Sequence, residues 1–316
     1  MTLKTPPPTT PYTPAHPAYY ASIDWGTSQL RFWLFDSAGT LIIDKRTDDG
    51  MDKLTPADYC TIVEGLFVDT PANDETPLII CGMAGARTGW QEAPYLETPT
   101  SVLELARAAM PITADKAKMG RDIRIIPGVA YGSPQSPDVM RGEETLLYGA
   151  GLISPLSGTI CLPGTHSKWV RLDDGKITSF NTVMTGELYH LLSRQSTLSH
   201  APDVGMDGGE VSFLEGVRFA KNKPEHVVNQ LFKIRASHLL FPNHIMANHN
   251  YLSGVLIGAE IIANSVAGSS VTLVASGDLA TRYRQAIAEC QLSCDTIDSE
   301  QVAQMALFDI AQKIWG

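Results

Sequence analysis

The sequence predicts an α/β protein whose two similar halves face a cleft. Three observations predict this class: a strand-turn-strand unit near the start, a second copy of that unit near the midpoint, and strand-like segments that alternate with helical ones. The repeat carries the most weight, because a duplicated unit fixes the architecture of the whole chain.

The first unit reads YYASIDWGTSQLRFWLFD, from Tyr19 to Asp36. Apolar, aromatic and β-branched segments flank a Gly-Thr-Ser turn, which predicts a β-hairpin. The hairpin tip carries a glycine that allows close backbone approach, two hydroxyls, a carboxylate and a guanidinium, which together can hold a phosphate and its magnesium ion. These groups belong to Gly26, Thr27, Ser28, Asp24 and Arg31. By itself, Gly-Thr-Ser is equally typical of an ordinary turn.

The second unit, from Ser157 to Phe180, reads SGTICLPGTHSKWVRLDDGKITSF. Its Gly-Thr pair lies 138 positions after the first, and the same offset places Leu162 where the first unit has Asp24. The magnesium ligand should therefore come from Asp24 alone. Backbone and side-chain donors to the phosphates in this unit are Gly164, Thr165, His166 and Lys168. His166 is interpreted as a hydrogen-bonding residue, since a loop histidine seldom acts as a nucleophile.

Composition narrows the classes of function. A length of 316 residues suffices for two domains with substantial cores, and 44% hydrophobic with 18% charged residues is ordinary for a globular protein. The net charge of -10 argues against nucleic acid or an anionic membrane as a partner. Five scattered cysteines, no signal peptide and no membrane-spanning apolar run favour a cytoplasmic protein with reduced thiols.

Four motifs give the chain a family resemblance: GMAGARTGWQEAPYL, VMRGEETLLYGA, PGTHSKWV and TVMTGELYHLL. In this order and spacing they resemble the 2-dehydro-3-deoxygalactonokinase family of the actin-like sugar kinase superfamily. The resemblance implies two duplicated actin-like, ribonuclease H-like ATPase domains around a nucleotide cleft. It also implies ATP and Mg²⁺ as cofactors and phosphorylation of 2-dehydro-3-deoxy-D-galactonate to its 6-phosphate in galactonate catabolism.

These observations divide the chain into three parts. Residues 1–19 are rich in Pro and Thr and poor in aliphatic side chains, which predicts a mobile tail. Residues 20–150 should form the N-terminal domain with the first hairpin and a substrate loop. Residues 151–316 should form the C-terminal domain with the second hairpin and the adenosine site. A homodimer is one assembly open to such a chain.

A substrate loop is predicted at Cys81 to Pro99, an irregular segment after the buried strand LIICG. Ligands of open α/β sheets bind at the carboxyl ends of strands, so Arg87, Trp90 and Tyr95 lie where a small substrate could dock. From the residues alone a surface loop with core-covering aromatics is the better reading, and the resemblance shifts the preference to substrate contact. Arg87 is then the candidate partner of a substrate carboxylate.

Three acids compete for the role of catalytic base near the segment PQSPDVMRGEETLLYGA, in which a loop up to Met140 precedes a helix. The superfamily resemblance places the catalytic carboxylate near this helix start, and the candidates are Asp138, Glu143 and Glu144. Asp138 ranks first because loop carboxylates often serve chemistry, and Glu143 ranks second. The glutamates could instead only favour the helix dipole. Arg141 is a second candidate for the substrate carboxylate or the transferring phosphoryl group.

The C-terminal half adds two further predictions. Thr185 should cap a helix that begins at Gly186, and Glu187 either is a first-turn acid or reaches the substrate from the opposite wall of the cleft. The strand-turn-helix pattern VTLVASGDLATRY is common in α/β proteins. The superfamily resemblance makes its turn residues the adenosine candidates, namely Ser276, Gly277 and Asp278.

Two other functions remain open at this point. One is a kinase of the same fold that acts on another sugar or sugar acid. The other is an actin-type ATPase that needs no acceptor. The substrate-sized loop at Cys81 to Pro99 and the lack of a long interaction insertion favour the kinase.

Overall fold

The computed structural model describes residues 18–55, 57–117, 120–132, 134–200, 206–241, 244, 246 and 248–316. The predicted mobile tail at 1–19 lies almost wholly outside these residues. The strands are β1 (Tyr19–Trp25), β2 (Leu30–Asp36), β3 (Leu41–Thr47), β4 (Leu78–Gly82), β5 (Tyr95–Glu97), β6 (Thr100–Ser101), β7 (Met110–Pro111), β8 (Ile123–Ile125), β9 (Gly128–Tyr131), β10 (Asp138–Met140), β11 (Gly158–Leu162), β12 (Ser167–Asp173), β13 (Lys176–Val183), β14 (Ser270–Val274) and β15 (Ser293–Ile297). The helices are α1 (Tyr59–Phe67), α2 (Glu104–Arg107), α3 (Ala114–Ala117), α4 (Glu143–Ile153), α5 (Thr185–Gln195), α6 (Met206–Asn222), α7 (Val227–Leu240), α8 (His249–Asn264), α9 (Gly277–Glu289) and α10 (Ser299–Trp315).

Five strands of each six-stranded sheet repeat one topology, which confirms the predicted duplication, and the sixth strand lies at opposite edges of the two sheets. The first has the order β3-β2-β1-β4-β8-β7 and the second β15-β14-β11-β12-β13-β6. In both, a three-stranded antiparallel meander continues into two parallel strands: β4 and β8 in the first sheet, β14 and β15 in the second. The two predicted hairpins are therefore the equivalent first two strands of each sheet.

The two halves are tied together through shared packing. The short strand β6 pairs with β13 of the second sheet, although it comes from the N-terminal half of the chain. The C-terminal helix α10 packs on β1, β4 and α4. One core cluster accordingly contains residues of both halves, among them Trp33, Ile79, Val170 and Leu307. This shared core sets the two hairpin tips opposite each other.

Two local predictions are wrong in detail. The predicted loop before Met140 ends in β10. Thr185 is the first residue of α5, and Met184 takes the cap position. The Thr185 hydroxyl bonds to the Glu260 carboxylate, so it does not cap the helix.

Candidate active site

A cleft with a volume of about 450 Å³ lies between the two hairpin tips and the N-terminus of α4. It is lined from both halves of the chain and brings together ten of the predicted site residues. They are Asp24, Gly26, Thr27, Tyr95, Arg141, Glu143, Gly164, Thr165, His166 and Lys168. An adjoining recess shares Asp24, Gly26, Thr27 and Thr165 and adds Ser28 and Arg31.

Asp24 lies near the end of β1, directly opposite Arg31 of β2. One carboxylate oxygen is 3.6 Å from Nη1 of Arg31, and the Cys81 thiol lies 3.7 Å from the other. Burial raises the pKa of Asp24, while the nearby Arg31 charge and the thiol hydrogen bond oppose the shift. The hairpin thus holds a carboxylate at the cleft that gains from a bound cation.

A segment that the sequence analysis did not single out holds the first tip in place. The Met51 and Asp52 amides donate to the Gly26 and Thr27 carbonyls at 3.1 Å. Gly50 lies so close that an added Cβ would stand 2.2 Å from the Thr27 carbonyl oxygen. In the sequence, only Gly50, which lies between Asp49 and Met51, indicates this close contact.

The second tip is held by the start of α5. Gly186 packs against it so closely that an added Cβ would stand 2.5 Å from the Gly164 carbonyl oxygen. The Glu187 amide donates to the Thr165 carbonyl at 3.0 Å, and the Glu187 carboxylate lies 2.5 Å from Nε2 of His166. Glu187 therefore orients His166 and does not line the cleft, so of the two expected roles its position matches the first-turn acid of α5 and not the substrate contact.

The three competing acids have different surroundings. Asp138, ranked first from the sequence, accepts from the Thr182 amide at 2.6 Å and the Thr182 hydroxyl at 2.5 Å, and it does not line the cleft. Glu143 does line the cleft, and it accepts from the Arg141 amide at 3.1 Å. Position therefore favours Glu143 over Asp138 as the candidate base, the reverse of the ranking from the sequence, because β10 directs Asp138 toward β13.

The environment of the two glutamates favours their neutral forms. Burial raises the pKa of Glu143, and the positive charge of Lys168 opposes this most strongly. Glu144 is completely buried beside it, and burial together with the Glu143 charge raises its pKa to about 8. Its carboxylate accepts from the Gly142 amide at 2.7 Å. Glu143 thus faces the cleft, and Glu144 supports the loop behind it.

Lys168 joins the two halves beside Glu143. It is 5% exposed, and its Nζ donates to the Val139 carbonyl at 2.8 Å and the Thr182 hydroxyl at 2.7 Å. Both direct acceptors are neutral, and the Thr182 hydroxyl in turn donates to the Asp138 carboxylate. This contact fixes β10, which leads directly into Arg141 and Glu143, against the second sheet.

The surroundings of Arg141 indicate what kind of ligand the cleft can bind. Its guanidinium lies 4.4 Å from the Tyr95 ring centroid, and Nη2 donates to the Ala93 carbonyl at 2.8 Å. Nε and Nη1 are buried without a hydrogen-bond partner among the described residues. Buried donors are normally satisfied, so these two N–H groups point to a ligand that accepts from them. An anion is the natural acceptor for such charged donors, and since Nε–H and Nη1–H point to different sides of the guanidinium, they would reach two separate acceptor atoms.

Two predicted substrate contacts lie elsewhere. The Arg87 side chain is 88% exposed, pairs with Glu92 and does not line the cleft. Trp90 is 5% exposed and packs against Trp25 and Tyr59 in the core of the first sheet. Trp90 therefore matches the alternative expectation that an aromatic side chain of this loop covers the core, because its large apolar ring packs beside β1.

A second cavity of about 320 Å³ adjoins the second hairpin at Gly164. It contains one of the predicted adenosine residues, Asp278 at the start of α9. Ser276 instead holds the start of α10, because its hydroxyl accepts from the Ser299 amide at 3.0 Å, and Gly277 does not line the cavity. Sequence reasoning missed the remaining walls, which come from helices far apart in the chain. They include Tyr189, Ser253, Leu256, Ile257, Arg282 and Tyr283.

In the sequence, this wall is indicated only by Asp278 and Arg282, which are four residues apart on α9 and therefore lie on one face of that helix.

In the described part of the chain, no helix combines the length and the apolar character required to cross a bilayer.

Comparisons with known proteins give a consistent result. The family model of 2-keto-3-deoxy-galactonokinase matches residues 24–310. A protein of Rhizobium meliloti (strain 1021), named as a probable 2-dehydro-3-deoxygalactonokinase, is 41% identical over 304 residues, which cover 94% of this chain and 98% of the relative. The 2-dehydro-3-deoxygalactonokinase of Escherichia coli (strain K12) is 33% identical over 300 residues, covering 94% and 99%.

A solved structure agrees with these relatives. The crystal structure of a Sinorhizobium meliloti protein, described under the same enzyme name, superposes with a TM-score of 0.84 at 40% identity. The match covers 94% of this chain and 99% of that one. The two chains therefore share one fold over nearly their full length.

Proposed function

The chain belongs to the 2-keto-3-deoxy-galactonokinase family, and on that premise we propose that it transfers the γ-phosphoryl group of ATP to 2-dehydro-3-deoxy-D-galactonate. The product is the 6-phosphate, an intermediate of galactonate catabolism. Residues 20–150 and 151–316 act as the two domains that close over the substrates. Their closure excludes water, which would otherwise accept the phosphoryl group.

The observation that carries the proposal is the pair of unpartnered N–H groups of Arg141 in a cleft between two phosphate hairpins. A sugar acid presents a carboxylate, a strong acceptor for one guanidinium donor, together with hydroxyls that can accept from the other. Stacking on Tyr95 and the bond to the Ala93 carbonyl hold the guanidinium in one orientation before the substrate arrives. A neutral sugar offers hydroxyl acceptors without the opposite charge, so the site favours an acid over a neutral acceptor.

Phosphoryl transfer depends mainly on positioning and charge neutralisation. The amides and hydroxyls of the two tips, at Gly26, Thr27, Gly164 and Thr165, bind the phosphates. The His166 backbone amide adds a further donor, and Nε2 of its ring bonds to the Glu187 carboxylate. Lys168 supplies a positive charge beside the transferring group. The adenosine part of ATP occupies the cavity between α5, α8 and α9, which continues from the second tip.

Magnesium fits the first hairpin. Mg²⁺ prefers oxygen ligands and usually binds through one or two carboxylates together with substrate phosphates. Asp24 offers such a carboxylate at the cleft, beside the Thr27 hydroxyl. When bound, the ion neutralises phosphate charge. Asp24 is the residue of this chain that would hold it.

Glu143 is the general base in this proposal. It is the acid among the three candidates whose side chain lines the cleft, next to Arg141 and Lys168. A base must reach the attacking hydroxyl, and a pKa raised toward neutrality improves proton acceptance. Glu143 would take the proton of the C6 hydroxyl while Arg141 holds the carboxylate at the other end of the acceptor.

The test is coupled ADP release with ATP and magnesium. The acceptors compared are 2-dehydro-3-deoxygalactonate, its gluconate epimer, galactonate, a neutral ketose and no acceptor. We expect strong release with the galactonate-derived keto acid and little with the neutral sugar. Release that does not depend on an acceptor would instead indicate an ATPase.

The assembly in this proposal is a homodimer formed through the outer face of α7. This face exposes Val228, Phe232 and Leu239 at one helical stripe, with 78%, 69% and 62% exposure. The α7 sequence contains no Asp or Glu, so two copies of this acidic protein can approach there without acid-acid repulsion. Phe232→Glu should convert a dimer into a monomer in light scattering. A wild-type monomer at micromolar concentration would contradict this assembly.

The proposed compartment is the cytoplasm. Cys81, Cys161, Cys290 and Cys294 form no disulfide in the described part of the chain, and the first three are buried. Reduced thiols of this kind suit a reducing compartment.

A further inference from the structure

The carboxylate of Glu260 is the centre of a buried polar network that the phosphoryl-transfer proposal does not use. Glu260 lies in the middle of α8 and is 2% exposed. Among the described residues, no salt bridge compensates its charge. Burial accordingly raises the pKa of Glu260, and hydrogen bonds from neutral donors oppose that shift. Burying an acid in this way is costly unless its acceptor oxygens are well satisfied.

Donors from several elements converge on this carboxylate. The Trp169 indole N–H donates to Oε1 at 2.8 Å, and the Tyr283 hydroxyl donates to Oε2 at 2.8 Å. The Thr185 hydroxyl adds a further bond. The Ser167 and Tyr283 hydroxyls are 3.0 Å apart. Because Tyr283 gives its single hydrogen to Glu260, Ser167 donates to the Tyr283 oxygen and supports the carboxylate through it. The ionised carboxylate only accepts, so it fixes the direction of these hydrogen bonds.

Each donor belongs to an element that surrounds the proposed nucleotide. Ser167 and Trp169 lie in β12, directly after the second tip. Thr185 begins α5, whose next residues, Gly186 and Glu187, dock on that tip. Tyr283 lines the adenosine cavity, as does Thr185. One side chain therefore connects the phosphate end and the adenosine end of the same site.

We infer that Glu260 is a positioning residue for the nucleotide, which holds β12, α5 and α9 in their ATP-binding arrangement without touching ATP. The inference rests on the proposed function, because it assumes that this cavity and tip bind ATP. Replacement by glutamine would place an N–H group toward Tyr283, because the Trp169 indole can only donate and needs the amide oxygen. The Tyr283 hydroxyl would then have to reverse and accept, and the charge that orients the network would be lost.

The test measures binding of a non-hydrolysable ATP analogue with magnesium by calorimetry, without acceptor. For Glu260→Gln we expect the dissociation constant to rise about tenfold or more, as for the loss of a hydrogen bond to a charged group. In steady-state kinetics the KM for ATP should rise by a similar factor, and the KM for the acceptor should stay within about twofold. A purely structural role would lower thermal stability without moving the nucleotide affinity.

Two further variants keep the outcome decisive. Ser167→Ala removes one donor next to the tip and should weaken the analogue several-fold, even if Glu260→Gln does not fold. The matched control is Gln230→Leu on α7, which removes a buried bond of 2.8 Å to the Tyr251 hydroxyl in the same helical layer. It should lower stability and leave nucleotide affinity unchanged.

Wild-type affinity in both Glu260→Gln and Ser167→Ala would overturn the inference, as would equal weakening by Gln230→Leu. A wild-type protein that binds no nucleotide would instead overturn the proposed function.

Discussion

Replacement of Arg141 by methionine tests the assignment of the substrate carboxylate. Methionine keeps an unbranched apolar stem against Tyr95 and removes the guanidinium. The matched control is Arg87→Met, which removes the same group from an exposed position outside the cleft. The sequence alone made both arginines candidates, whereas the structure predicts that only one of them matters.

The magnitude follows from the two unpartnered nitrogens, Nε and Nη1. A hydrogen bond to a charged group contributes about 1.5–3 kcal/mol, so the loss of two corresponds to about 3–6 kcal/mol. Since about 1.4 kcal/mol is a factor of ten, kcat/KM for the sugar acid should fall by about 10²–10⁴. The bond to the Ala93 carbonyl is lost as well, but it is made with or without substrate and adds little to this ratio.

The assay is steady-state kinetics with each substrate varied at saturation of the other, using the keto acid and a neutral ketose of similar size. Arg141→Met should raise the KM for the acid, leave the KM for ATP nearly unchanged and abolish the preference for acid over neutral acceptor. Arg87→Met should resemble the wild type. The reasoning is refuted if Arg141→Met retains the acid preference, or if the KM for ATP rises as much as that for the acid.

Three further predictions concern the cleft. Glu143→Gln should lower kcat by about 10²–10⁴ with little effect on ATP affinity. Because burial raises its pKa and Lys168 opposes this, Lys168→Met should move the acidic limb of the kcat/KM profile to higher pH; an unmoved limb would exclude Glu143 as the titrating base. Asp24→Asn should reduce turnover by orders of magnitude. It should also leave thermal stability at pH 7 equal or higher, because the raised folded-state pKa of Asp24 means that its ionisation above about pH 4 destabilises the fold. Near-normal turnover would remove Asp24 from the site. Gly50→Ala should displace the first tip, destabilising the protein by about 1–3 kcal/mol and raising the KM for ATP. Gly65→Ala, where an added Cβ meets nothing within 4 Å, is its control in thermal melts and kinetics.

The sequence by itself determined the architecture and the phosphate chemistry. Two Gly-Thr hairpins at a fixed offset predicted two equivalent sheets, because alternating apolar residues and turn glycines specify a hairpin locally. The presence of Asp24 in one unit and Leu162 in the other also distinguished the halves without a structure. These features depend on neighbours within a few residues, which a sequence displays directly.

Tertiary structure decided which side chains meet in the cleft. Asp138 and Glu143 are five residues apart, yet a strand turns the first toward Thr182 and a helix start presents the second to the cavity. Arg87 and Arg141 have the same chemistry, but Arg87 is exposed, whereas Nε and Nη1 of Arg141 are buried without a partner among the described residues. The Glu260 network joins elements from residue 167 to residue 283, and no local sequence pattern indicates contacts between residues so far apart in the chain. Burial and long-range hydrogen bonding, which depend on the packing of the whole chain, determined these roles.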